Sequence, residues 1–468
     1  MSDRPDVQLR PTWSLSDRFL PRAVLRPLQE FLSTSSASAV LLLASAVVAL
    51  VWANSPLGDL YDDLWHTPVG IGVGSWSIEL DLQHWVNDGL MALFFLVVGL
   101  EIKREILHGE LRDPRAAALP AIAALGGMAV PALVYVALNI GGDGVRGWGI
   151  PMATDIAFAL GVLTLAARHA PANLKPFVLT LAIVDDIGAI LVIALFYSAG
   201  VAVLPLAAAG GIVAAILLLR RIHVRANTVY VVLALGLWIA IYEAGVHPTI
   251  AGVVMGLITP IVPFQAPAAV SREAIRTADE TDDDPHSVHA GTHLWLRLAT
   301  LSKEAVSPLV RVEHALLPWT SFVIVPIFAL ANAGVDVSAE AVGNAVTSPI
   351  TVGVFLGLVV GKPAGIWIAS AAAVRFGVAR LPRGVDLRHV LGAGAVGGIG
   401  FTVALFVTDL AFDDVARLDD ARIGILVASV IAGALGWLVL RLTPIGAEVT
   451  ADDAVSIAGA RPPGAGTR

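Results

Sequence analysis

Apolar runs of near bilayer-spanning length recur along the whole chain, each separated from the next by a polar stretch. Twelve can be marked: 37–53, 85–101, 117–138, 149–167, 176–196, 201–219, 228–242, 247–262, 316–333, 350–374, 390–410 and 421–440. A transmembrane helix needs about 20 mainly apolar residues. The pattern therefore predicts an all-α polytopic membrane protein of about twelve transmembrane helices. Between the first two runs the period changes from helical to alternating. Val69, Ile71 and Val73 alternate with glycines, and Trp76, Ile78 and Leu80 alternate with Ser77 and Glu79, around Gly74-Ser75. That is the signature of a short extracytoplasmic β-hairpin. Its free edge can pair with a second copy, or the hairpin can simply cap its own subunit.

Composition agrees. Hydrophobic residues make up 56% and charged residues only 15%, and mean hydropathy is +0.78. A soluble domain carries about 25% charged residues, so 37–442 reads as one membrane domain. No cysteine is present, which excludes disulfides, thiol catalysis and thiolate metal sites. Residues 1–36 carry Arg4, Arg10, Arg18, Arg22 and Arg26. They lack the apolar core and cleavage site of a signal peptide, and read as a cytoplasmic tail. Residues 443–468 read as a second one.

Basic residues set the orientation. Lys103, Arg104, Arg112 and Arg115, then Arg168 and Lys175, then Arg220, Arg221 and Arg225, follow even-numbered spans; so do Arg375, Arg380, Arg383, Arg388 and Arg441. The opposite side holds only Arg146, Arg417 and Arg422. Both termini are thus expected to be cytoplasmic. The long loop 263–310 falls on the same side. Its acidic run Asp279-Glu280-Thr281-Asp282-Asp283-Asp284 reads as solvated. Its amphipathic stretch Leu294-Trp295-Leu296-Arg297-Leu298 fits either an interfacial helix or a disordered linker.

Against this background, Asp185-Asp186 stands out in the middle of the apolar stretch 181–193. A charge at the bilayer centre costs about 2.5–3.5 kcal/mol on insertion scales. Adjacent residues on a helix point about 100° apart, so the two carboxylates meet different surroundings. One division puts one acid in a water-filled funnel and the other against a basic partner, Lys362. Neighbouring carboxylates titrate as a coupled pair. Small hard cations such as Na⁺ favour the same oxygens that take the proton, so the two ions would compete there.

Two spans look interrupted. Gly147, Gly149 and Pro151 crowd the approach to Thr154-Asp155, and glycines recur from Gly392 to Gly400 before Phe401-Thr402. Glycine and proline weaken a helix. Breaks at matching places in two halves of a chain point to an inverted-repeat transporter with a midplane site, an architecture described from a few families that include the one named below. Facing half-helices oppose like dipole ends. Asp155 is placed to neutralise N-termini and Lys362 to neutralise C-termini, either as their whole role or beside ion handling. Asp88 lies early in the second span, Glu101 and Glu105 lie at its cytoplasmic end, and His247 opens the eighth.

These residues resemble the NhaA-type sodium/proton antiporters. The matching stretches are 87–105, 153–161, 182–190, Gly245-Val246-His247, 331–335, Gly361-Lys362-Pro363 and 398–402, in family order between about Ser38 and Leu442. The resemblance implies inverted repeats with two interrupted helices, and electrogenic exchange of cytoplasmic Na⁺ or Li⁺ for external H⁺ without a cofactor. It implies Asp186 as the main ion ligand and proton carrier, Asp185 as the partner of Lys362, and Thr154 and Asp155 nearby. It implies a pH-response region at Glu101, Arg104, Glu105, Glu313 and His314, to which His247 is added. It also implies a homodimer through the 69–80 hairpin, a bacterial inner-membrane location among lipid, and no nucleic-acid partner. The chain departs from the pattern in Leu317, where some relatives have a second histidine, in the long 263–310 loop and in both extended tails. An intramembrane aspartyl protease would instead place its acids on separate helices, one within Gly-x-Gly-Asp. A passive sodium channel does not explain Lys362 and the paired breaks.

Overall fold

The computed structural model describes residues 37–74, 76–166, 170–198, 200–282 and 288–443. The two predicted tails, apart from Thr443, and Arg168 lie outside the described residues. In chain order the elements begin with α1 (Ala37–Ala53), α2 (Gly58–Trp65), β1 (Pro68–Val73), β2 (Trp76–Asp81), α3 (Met91–His108) and α4 (Pro114–Asn139). Next are α5 (Ile156–Ala166), α6 (Leu174–Phe196), α7 (Val203–Arg221), α8 (Asn227–Glu243), α9 (Thr249–Ile258), α10 (Pro267–Asp282) and α11 (Val288–Glu304). The rest are α12 (Pro308–Trp319), α13 (Val325–Asn332), α14 (Ala339–Thr347), α15 (Pro349–Leu356), α16 (Lys362–Arg375), α17 (Leu387–Gly397), α18 (Phe401–Ala411) and α19 (Val415–Leu442).

Each of the twelve predicted spans falls on helix. Among the described residues, six helices are long and apolar enough to cross a membrane, and up to nine if each bent pair counts as one span. The pairs are α1 with α2, the 3₁₀ segment Asp143–Met152 with α5, and α17 with α18. Three π-helical stretches, Trp85–Leu90, Thr320–Ile324 and Gly357–Gly361, interrupt longer helices. Such wide turns concentrate at functional positions, and the last one ends directly before Lys362.

Three expected boundaries move. The 263–310 segment is not a linker but carries two helices, α10 and α11, joined by residues outside the described set. The ninth span starts earlier because Ser307 caps the α12 N-terminus, accepting from Val310 N at 3.3 Å, with Pro308 behind it. Serine and a following proline favour a helix start. Glu313 and His314 therefore lie on a helix. The last span also starts earlier, so Arg417 joins Arg422 on α19. The hairpin matches expectation: β1 and β2 pair antiparallel from Pro68↔Asp81 to Val73↔Trp76. Gly74 takes φ +67° in the turn, where side chains other than glycine are strained.

The chain divides into two compact units. The first comprises residues 1–109, 189–348 and 405–423. In it α3 and α9 pack backbone to backbone. A Cβ at Gly252 would lie 2.0 Å from Ala92 O, and one at Gly256 would lie 2.6 Å from Leu96 O. Small residues four apart permit this approach in membrane helices. The second unit comprises 110–188, 349–404 and 424–468. There α4 and α16 approach in the same way: a Cβ at Gly365 would lie 2.1 Å from Gly126 O, and one at Gly361 would lie 2.9 Å from Pro131 Cα. This contact brackets Lys362 and fixes its helix within the unit.

Candidate functional site

The second unit contains a crossing of two unwound backbones. Residues 153–155 separate the 3₁₀ segment from α5, a bend of 45°, and residues 398–400 separate α17 from α18, a bend of 51°. The breaks are hydrogen-bonded to each other: Asp155 N donates to Ile399 O at 2.7 Å. Gly400 allows this proximity, since a Cβ there would lie 3.3 Å from Ala153 O.

Each break exposes helix ends that a side chain then satisfies. Asp155 Oδ1 accepts from Phe158 N at 3.0 Å, and its Oδ2 accepts from Thr402 N at 3.2 Å and Thr402 Oγ1 at 2.7 Å. One carboxylate thus caps the N-termini of both α5 and α18, where the helix dipoles favour negative charge. The opposite ends present carbonyls. Lys362 Nζ donates to Met152 O, the last residue of the 3₁₀ segment. Thr154 Oγ1 lies 2.9 Å from Gly397 O, the last residue of α17. The expected dipole pairing of Asp155 and Lys362 with the broken helices is therefore present in the geometry.

The same two cation- and hydroxyl-bearing groups converge on Asp185. Lys362 Nζ is 2.7 Å from Asp185 Oδ2, with side-chain exposures of 0% and 1%. Thr154 Oγ1 lies 2.7 Å from the same oxygen. A threonine hydroxyl has one hydrogen, yet Thr154 has two acceptors in reach. Asp185 Oδ1 is buried with no hydrogen-bond partner among the described residues. Asp186, the next residue on α6, is 8% exposed. Thr154, Asp155, Asp185 and Lys362 are thus brought together, with Asp186 beside them. A polar cavity of about 780 Å³ lies in the same unit, walled by Glu110, Asp113, Arg115, Thr180, Arg380 and Arg383 among others. Thr180 is five residues before Asp185 on α6.

The expected pH-response residues fall into separate places in the first unit. Arg104 bonds Glu313 and lies 3.6 Å from Glu101. Glu105 is buried nearby on α3, and His314 is exposed on α12. His247 belongs elsewhere: its ring packs 5.3 Å from that of Phe406, and its Nδ1 is 3.7 Å from Asp88 Oδ1. Asp88 and Glu101 are thirteen residues apart, which on a helix is about 20 Å.

Three residues of the polar interior were not singled out from sequence. Thr402 is one, although its position at a helix start after a glycine run marks it as a cap. The others are Asp409 and Arg422, in the first unit. Arg422 Nη2 donates to Asp409 Oδ1 at 2.8 Å, with side chains 10% and 15% exposed. Asn87 Nδ2 donates to Asp409 Oδ2 at 2.8 Å, and Asn332 Nδ2 donates to Asn87 Oδ1 at 2.8 Å. The available signal was an acid near the end of an apolar run with a base thirteen residues on.

A helical protein of many apolar spans, with a buried acid–base cluster where two broken helices cross, belongs by class to the secondary transporters. The family described as Na⁺/H⁺ antiporter 1 matches residues 29–440. The chain is 47% identical over 451 residues to "Na(+)/H(+) antiporter NhaA 2" of Sorangium cellulosum, covering 95% of this chain and 96% of that protein. It is 48% identical over 430 residues to "Na(+)/H(+) antiporter NhaA" of an Anaeromyxobacter species, covering 90% and 92%. It is 45% identical over 420 residues to "Na(+)/H(+) antiporter NhaA 3" of Frankia alni, covering 88% of each. The chain belongs to the Na⁺/H⁺ antiporter 1 family and is a transporter rather than an enzyme.

Proposed function

We propose that the protein exchanges cytoplasmic Na⁺ or Li⁺ for external H⁺ by alternating access, electrogenically, with the paired aspartates as the shared site. The observation that carries this reading is the fully buried Lys362–Asp185 pair, with Asp186 adjacent and Asp185 Oδ1 unpartnered among the described residues. A cation at Asp186, with oxygens of Asp185 and Thr154 nearby, weakens the hold of Asp185 on the Lys362 ammonium. A proton at the carboxylates expels the cation. A proton on Asp185 also gives Thr154 a donor in place of a second acceptor, so the polar group count balances in the protonated state. Asp155 and Thr402 keep the two breaks fixed while the charge at Asp185 and Asp186 changes. The cavity beside Thr180 is the proposed cytoplasmic approach.

Competition sets the pH dependence. As pH falls, the apparent KM for Na⁺ is expected to rise, approaching roughly tenfold per unit below the pKa of the site. Na⁺ and Li⁺ exchange by purified protein in proteoliposomes, measured across pH, checks this. A KM independent of pH while activity persists would show that the two ions do not share a site.

The remaining assignments belong to the same reading. The protein lies in the bacterial inner membrane with both termini cytoplasmic. Glu101, Arg104, Glu105, Glu313 and His314, with His247, adjust the response to pH. Two copies join through the 69–80 hairpin. Ile71 is 55% exposed there. Because the chain has no cysteine, Ile71→Cys is a unique attachment point. A short bis-maleimide is expected to yield a covalent dimer in membranes; a fully modified but monomeric product would count against a hairpin-mediated dimer.

A further inference from the structure

The α10–α11 segment contributes nothing to the proposed ion site, yet it is an ordered element with two different faces. On α10, Val270 and Thr277 are buried. On α11, Leu294, Leu298 and Leu301 are partly buried at helical spacing, and Arg297 reaches Glu273 of α10 at 3.5 Å. The other side of α11 is different. Trp295 is 50% exposed and Leu296 is 63% exposed, with Ala299 also exposed. An open tryptophan beside an open leucine is costly in water but suits a membrane–water boundary, where an amphipathic ring is favoured.

Charge on α11 points the same way. His293, Arg297 and Lys303 are exposed, and the helix carries one acid, Glu304. That acid is already engaged. Arg225 Nη1 donates to Glu304 Oε1 at 2.6 Å and Gln265 Nε2 donates to its Oε2 at 3.1 Å. These bonds, the one from Arg225 foremost, hold the Glu304 carboxyl below the usual carboxylate range. The other described acids of the segment belong to α10, where Glu273 and Glu280 pair with Arg276. The surface of α11 is therefore cationic and aromatic.

The base of the segment is fastened where two apolar helices end. Gln265 N donates to Glu304 O at 3.1 Å, and Leu309 N donates to Pro260 O at 3.0 Å. The Arg225 guanidinium lies 5.0 Å from the centre of the Phe264 ring. α9 ends at Ile258 and α12 starts at Pro308, so the base is held at the level of their ends.

We infer that α11 is an interfacial helix that lies on the bilayer surface, with Trp295 and Leu296 at the headgroup–acyl boundary and Lys303 on anionic phospholipid headgroups. An apolar stripe flanked by basic side chains binds anionic surfaces in this way. The inference rests on the orientation proposed above only for naming the cytoplasmic leaflet. The test uses nitroxide labels on full-length Leu296→Cys and, as the aqueous reference, Arg276→Cys on exposed α10. Each is reconstituted in phosphatidylethanolamine–phosphatidylglycerol vesicles and in phosphatidylcholine vesicles. With phosphatidylglycerol, the label at 296 is expected to meet oxygen severalfold more, and a water-soluble nickel chelate severalfold less, than the label at 276. The contrast is expected to shrink in phosphatidylcholine. Equal chelate contact at both positions overturns the inference. Low contact with both reagents at 296 also overturns it, because a protein surface, either a second copy or a tail, then covers the helix. High oxygen contact unchanged in phosphatidylcholine overturns the role of Lys303. The readout requires no transport, so it fails or holds separately from the proposed exchange.

Discussion

Asp186→Asn is expected to abolish Na⁺- and Li⁺-dependent dequenching of a pH dye in everted vesicles. Asparagine keeps the shape of the side chain but removes both the titrating proton and the negative charge. A neutral amide does not compensate a monovalent cation in a site of low dielectric, where an unpaired ion carries a desolvation penalty of several kcal/mol. At about 1.4 kcal/mol per tenfold in affinity, the loss amounts to several orders of magnitude. Asp186 is 8% exposed and Asp185 is 1% exposed and held by Lys362, so Asp185 is not expected to substitute for it. Near-normal dequenching, with the variant present in the membrane at wild-type level, would remove Asp186 from the proposed site.

The second large effect concerns folding. Lys362→Met leaves the Asp185 carboxylate buried without its cation, and is expected to destabilise the protein by about 3–5 kcal/mol. The midpoint of thermal unfolding in detergent should fall accordingly. The double variant Lys362→Met with Asp185→Asn should recover most of the loss, because a neutral pair carries no uncompensated charge. The four-way comparison isolates the coupling between the two side chains. A single variant that melts with the wild type would mean that the ion pair contributes nothing to holding α6 and α16 in the second unit.

Much of this architecture was legible because apolar run length reports span position directly. The hairpin was legible because alternation with glycine reads as strand. The Asp155 and Lys362 pairing with broken helices followed from dipole signs alone. Other features left no such trace. A π-helical turn adds a residue without altering the hydropathy of its span, so the stretch that ends at Gly361 was invisible. Asp409 and Arg422 lie near span ends, where charges are ordinarily interfacial, and only their 2.8 Å contact distinguishes them. The α10–α11 pair was hidden by the acidic run 279–284, which dominates the local composition although its first four residues close α10. Glu313 and Glu101 were grouped only by the family resemblance; Arg104 joins them across two helices whose contact no local pattern encodes.

The crossing of the two broken backbones has a consequence for biosynthesis. Asp155 and its caps from Thr402 are 247 residues apart in sequence. A chain emerging from the ribosome releases the first break, with its open amides, long before the segment that satisfies them exists. Until Thr402 and Ile399 have been made, Asp155 lacks the bonds that tie it to the second break. Asp185 likewise waits for Lys362, 177 residues later. The proposed ion site is therefore a late product of membrane insertion, and no nascent chain that stops short of the eleventh span contains it.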